Sequence, residues 1–259
     1  MNSKLINRLI LISAFFLTPY FSLASESVQG KKTLSDLVDI AGQQRMLVHR
    51  ALVSYAQIGQ VQSFGNPVRT KQASIKQFEN NLKILKNEQK INNQLVKIES
   101  LWNQLKVIIL AVPKKEKMAE LIKLNEEIVL LSNKVIATLI SNSQKNMVNI
   151  SGKQRMLSQR IALFMLMENW GFDDKYKQNM QMSLAQFSMN SKLLKRNKTN
   201  TKKITKTLQS LEKDYLALIK IIARGKKERD YSFSISRYTS QMLRKAKKIT
   251  KLYVQLSNS

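Results

Sequence analysis

The chain has no cysteine among its 259 residues. A disulfide framework and a thiolate metal site are both excluded. It has one histidine, His49, so no histidine cluster can hold a metal or run a catalytic relay. His49 itself reads as a helix-face residue. Three prolines and seven glycines are too few for a fold built on tight turns, and long helices with few connections are expected. Acidic residues are scarce, 17 against 44 Lys and Arg, for a formal net charge of +27. No stretch after the N-terminus approaches the roughly 20 apolar residues of a membrane span. The best, Val107 to Val112, is far too short. No Gly-rich phosphate loop, paired carboxylates or nucleophile–base pairing is visible, so an enzyme is not expected, nor any cofactor.

What is present begins with 43% hydrophobic residues, enough for one or two ordinary cores. Lys4 and Arg8 precede the apolar run Leu9 to Leu17, and Ser22-Leu23-Ala24 offers small residues for cleavage. Residues 1–24 therefore read as a secretory signal peptide, with an uncleaved N-terminal anchor as the alternative, and a periplasmic location follows. Cleavage removes two bases and no acid, which leaves 42 Lys and Arg against 17 acids, about +25. Such an excess attracts nucleic acid, anionic lipid, polyanionic glycan or small anions, unless the lysines only solvate helix faces. The basic segment Lys195 to Lys203 lacks interleaved aromatics, so nucleic acid is not expected as a partner.

One stretch occurs twice. Ile40-Ala-Gly-Gln-Gln-Arg-Met-Leu-Val-His-Arg50 returns as Ile150-Ser-Gly-Lys-Gln-Arg-Met-Leu-Ser-Gln-Arg160, with seven of eleven positions identical. Gln77-Phe78 matches Gln186-Phe187, Trp102 matches Tyr215, and Leu131 matches Leu243, all at offsets near the motif's own 110. The chain reads as two tandem units, 31–140 and 141–259, each of four helices. Thr33-Leu-Ser-Asp36 has capping-box spacing and opens the first helix, with Gly59 as a stop. Three- and four-residue apolar steps place the next helices over about 69–86, 95–109 and 116–140. In the second unit one helix carries the motif up to Trp170-Gly171. Asp173 starts another, Gly225 closes a third, and the last runs from about Arg229 towards Leu256.

The join between the units is open to two readings. Residues 141–146 contain no Pro or Gly, and the register Ile136, Ile140, Met147, Ile150 continues through them, which suits one rod and stacked bundles. Ser143 precedes Gly152 by nine residues, as Thr33 precedes Gly42, which suits a fresh helix start and bundles lying side by side.

On a helix, Leu37, Ile40, Gln44, Leu47 and Ala51 face one core, where Gln44 needs a hydrogen-bond partner. Gly42, Arg45, Met46 and His49 fall on another stripe. A glycine one turn before an arginine lets a helix or ligand come close to the backbone, and the arginine offers a planar fork suited to an oxyanion. The competing reading has Arg45 and Arg155 paired with carboxylates and the glycines serving helix packing. Met165, Met167, Met180, Met182 and Met189 fit core filling better than soft-metal ligation.

Gly-x-x-Arg-Met-x-x-x-Arg resembles the P-box helix of nitrate/nitrite sensor kinases. The second copy, Ile150 to Arg160, is more closely similar to the PilJ-type sensor domain at the N-terminus of type IV pilus chemotaxis transducers. The resemblance covers both repeats. It implies an all-α, extracytoplasmic ligand-sensing fold of two four-helix units, stacked or side by side. It also implies an anion, nitrate or nitrite, bound by Arg45 and Arg155 with backbone near Gly42 and Gly152, while Arg50 and Arg160 serve the structure. Those relatives continue into a second membrane span and a cytoplasmic module, so here a signal is expected to pass to a separate membrane-bound transducer or sensor kinase. Stacked units would need a second copy of the chain, a homodimer, to complete each site. A function of another class is a basic helical adaptor that binds an envelope polymer, a membrane surface or a protein partner.

Overall fold

Thr33 opens the first helix as its spacing predicts. Its Oγ1 accepts the Asp36 N–H at 3.1 Å, and its own N–H donates to Asp36 Oδ2 at 3.0 Å. The computed structural model describes residues 32–172, 174–225 and 231–259. The expected signal peptide and the expected helix starts at Asp173 and Arg229 lie outside them.

Eight α-helices and no strand are formed among the described residues. In order they are α1 (Leu34–Gly59), α2 (Pro67–Leu85), α3 (Asn92–Leu110), α4 (Met118–Leu139), α5 (Ser143–Asn169), α6 (Asp174–Arg196), α7 (Lys202–Arg224) and α8 (Tyr231–Asn258). Single 3₁₀ turns lead into α3 and α4. They absorb the weakly polar break after α2 and the segment after Pro113. Helix α2 starts two residues earlier than its apolar pattern suggests, because Pro67 suits a first helical turn and Asn66 Oδ1 accepts the Arg69 N–H at 3.1 Å.

The join between α4 and α5 is a break. Ile140 is extended, and Asn142 caps α5 with its Oδ1 accepting the Lys145 N–H at 3.0 Å. The two motif helices α1 and α5 then pack side by side. Helices α2 and α4 cover α1, α6 and α8 cover α5, and α3 and α7 complete the two four-helix groups. Ser35 and Ser257 hydroxyls meet at 2.6 Å, tying the start of α1 to the end of α8.

This placement explains why the motif helices carry no clean apolar stripe. Nineteen of the 26 residues of α1 are buried, against five of 19 in the outer helix α3. A helix with neighbours on several sides buries both the Leu37–Ile40–Leu47 stripe and the Gly42–Arg45–Met46 stripe.

Residues at the repeat offset make matching contacts. Gln44 Nε2 donates to the Phe78 carbonyl and Gln154 Nε2 to the Phe187 carbonyl, each at 3.1 Å. Phe78 stacks on Trp102 with centroids 3.9 Å apart, and Phe187 stacks on Tyr215 at 5.0 Å. Both phenylalanines are fully buried. Met165, Met167 and Met180 fill the core as expected, but Met182 and Met189 are exposed, and Met189 lines the cavity that reaches Arg45. At Gly59 an added methyl would stand 2.4 Å from the Trp170 ring, so this glycine marks a close approach as well as a helix end.

Candidate anion-binding site

The packing of α1 against α5 brings the two motif arginines together. Both are buried, Arg45 at 1% and Arg155 at 3% exposure. A methyl placed on Gly42 would stand 3.3 Å from Nη2 of Arg155 and 3.4 Å from Nη2 of Arg45. On Gly152 the corresponding distances are 3.2 and 3.6 Å. The guanidinium tips thus lie side by side over two bare backbones, and the missing Cβ atoms make the room. All four residues singled out from the repeat converge on one place.

The partners differ between the two copies. Each arginine crosses to the residue just before the other copy's repeated stretch. Arg45 Nη2 donates to Asn149 Oδ1 at 3.0 Å, and Arg155 Nη2 meets Asp39 Oδ1 at 2.6 Å. Arg45 Nη1 also donates to Asn133 Oδ1 at 2.7 Å, and Gln43 Nε2 steadies Asp39 through Oδ2 at 3.0 Å. Arg155 is therefore neutralised by a carboxylate, whereas the partners of Arg45 are neutral amides. Asp39, Asn133 and Asn149 were missed from the sequence. Asp39 and Asn149 stand at the motif's own offset of 110, which matches them to each other but does not give the arginine that each meets.

The electrostatic consequence is a local excess of positive charge. Burial, and then the neighbouring Arg155, pushes Arg45 down to about 9. Lys153 is also held below its usual value, by burial and then by Arg45. The Nε atoms of Arg45 and Arg155 are buried without a hydrogen-bond partner among the described residues. Such groups favour an anion that can supply both charge and acceptors. Each arginine lines its own cavity. A space of about 350 Å³ reaches Arg45 between α4, α5 and α6, and one of about 670 Å³ reaches Arg155 between α1, α2 and α8.

One family comparison bears on this site. Residues 137–232 match the family model of the type IV pili methyl-accepting chemotaxis transducer N-terminal domain, PilJ. The PilJ-type segment holds α5, α6 and α7, and with them Gly152 and Arg155. It ties this part of the chain to the sensing domains of chemotaxis transducers. No curated protein and no solved structure matches the chain.

Two positions that depart between the copies do the same local work. His49, fully buried, donates from Nδ1 to the Arg45 carbonyl at 2.8 Å, and its Nε2 accepts from Asn125 Nδ2 at 3.2 Å. In the PilJ-type segment Ser158 Oγ donates to the Arg155 carbonyl at 2.8 Å. His49 is thus a satisfied core residue on the side of α1 away from solvent. Burial pushes it down to about 3, so it is neutral. The second arginine of each copy diverges instead. Arg160 meets Glu126 at 3.0 Å and lies over the Phe164 ring, while Arg50 has no carboxylate partner among the described residues. No group of three His, Asp or Glu side chains able to hold a metal occurs among the described residues.

Proposed function

We propose that the chain is a small-anion sensing module, two PilJ-type units in one polypeptide, that binds nitrate or nitrite between Arg45 and Arg155. The observation that carries this reading is the buried Arg45 guanidinium, which has amide partners, a second guanidinium beside it and no carboxylate of its own among the described residues. A planar monoanion would neutralise Arg45 and accept from both forks, with Gly42 and Gly152 giving its oxygens access to the backbone. Residues 31–140 are the first unit on this reading and 141–259 the second, so a P-box pair is assembled within one chain. The module binds and does not catalyse. It is exported, and the bound state is read by a separate membrane-bound transducer. No helix among the described residues is long and apolar enough to cross a membrane.

A thermal melt of the protein across chloride, nitrate, nitrite and sulfate at matched ionic strength tests the reading. Nitrate or nitrite is expected to raise the melting temperature above the chloride baseline, and Arg45→Gln to remove that rise. An Arg45→Gln variant that keeps the full nitrate response, or a parent that shows none, would sink it.

A further inference from the structure

The near-symmetry of the two copies supplies an internal comparison for the second motif arginine. Arg160 is neutralised by Glu126 of α4. Its counterpart Arg50 instead opens onto a cavity of about 280 Å³ between α1, α5 and α8 whose lining contains no Asp or Glu, and, together with Lys247, it also borders the larger cavity that holds Asp36, Asp39 and Arg155. Two more cations, Arg244 and Lys247 of α8, line the same space. None of the three makes an ion pair or a side-chain hydrogen bond among the described residues. Partial burial, and then Arg50 and Arg155, push Lys247 down to about 8. Arg50 is held below its usual value by burial.

Helix α8 presents Ser236, Ser240, Arg244 and Lys247 to this cavity at steps of four, four and three residues, one face of a helix. Arg50 comes from the opposite wall on α1. Donors thus converge from two sides: a guanidinium fork from one, and hydroxyl, guanidinium and ammonium groups from the other. Val53, Ala162 and Leu243 add an apolar margin. A planar monoanion would leave two of the three charges unanswered. A tetrahedral dianion takes donors from several directions and answers more of the charge.

We propose that the Arg50–Arg244–Lys247 cavity is a second ligand site, adjoining the Arg155 cavity with which it shares Arg50 and Lys247, for a phosphate dianion, free or carried as a small monoester. Its recognition is by charge and by the α8 hydroxyls.

The test is titration of the full chain with inorganic phosphate and, in a separate arm, glycerol 3-phosphate, read by calorimetry and melting temperature against chloride at matched ionic strength. Phosphate is expected to bind and stabilise beyond chloride. Arg244→Gln and Lys247→Gln, both at residues that reach solvent and carry no core packing, are each expected to weaken binding about tenfold, the loss of a charge-assisted hydrogen bond. The exposed Lys203→Gln on α7 is expected to leave it unchanged. A tighter glycerol 3-phosphate arm identifies the monoester as the source, and equal or weaker binding identifies free phosphate. The proposal is overturned if phosphate does no more than chloride, or if Lys203→Gln weakens binding as much as Lys247→Gln, the mark of diffuse charge.

Discussion

Replacing Asp39 by Asn leaves both guanidinium groups of the central pair with amide partners alone. Removing one member of a buried ion pair costs about 3–5 kcal/mol, because the remaining charge stays buried. Here the Asp39 side chain is 20% exposed and that of Arg155 4%, so solvent screens part of the effect and about 2–3 kcal/mol is expected. The unfolding entropy of a unit this size, Lys32 to Ser259, is about 0.5 kcal/mol/K at roughly 2 cal/mol/K per residue. Asp39→Asn should therefore lower the melting temperature by about 5 °C in chloride buffer. Asp39 is also a tethered competitor for any anion at Arg155. Its loss should make the nitrate-induced rise larger than in the parent, so that saturating nitrate recovers much of the 5 °C. The assay is a paired melt of parent and variant with and without nitrate. A variant that melts within 1 °C of the parent and responds no more strongly to nitrate would refute both the energetic weight of the pair and the competition.

Other perturbations separate stability from binding. His49 is neutral and held to about 3 when folded, against about 6.5 unfolded, so below pH 6.5 the unfolded chain gains a proton that the folded chain refuses. Stability from this residue is therefore intact above pH 6.5 and falls as pH drops towards 3. The loss is about 2 kcal/mol between pH 7 and pH 5, and urea unfolding of a His49→Gln variant should lack that increment. An identical pH slope in the variant would contradict it. Gly152→Ala puts a methyl 3.2 Å from Arg155 Nη2, the far end of a flexible side chain. It should change the melting temperature little yet abolish the nitrate response, and a retained response would show that the tips need not meet over bare backbone. Gly59→Ala drives a methyl to 2.4 Å from the Trp170 ring and should destabilise by about 1–3 kcal/mol in chemical denaturation. No change there would mean the ring moves freely.

The residues that carry the site were legible because the chain states them twice. Local rules also set the helix ends: Thr33 and Asp36 cap α1 through their own atoms, and Asn142 starts α5. His49 was harder to read, since a polar residue on a helix stripe normally meets solvent. Its Nδ1 is satisfied within α1 by the Arg45 carbonyl, but its Nε2 finds a partner only through Asn125 of α4. Met182 and Met189 failed in the opposite sense, because apolar spacing on α6 does not reveal that these side chains stay exposed.

By itself the sequence determined an all-helical chain, its helix order, and Arg45 and Arg155 as paired elements with glycines one turn before each, because capping, periodicity and repetition are local properties. It left open whether those arginines meet. Tertiary structure decided that, through the break at Ile140 and the packing of α1 on α5. It also decided which arginine is neutralised, since Asp39 and Asn149 act across the interface on the opposite copy. A charge's partner is fixed by what lies within a few ångströms in space, and at a separation of more than 100 residues no sequence spacing encodes it.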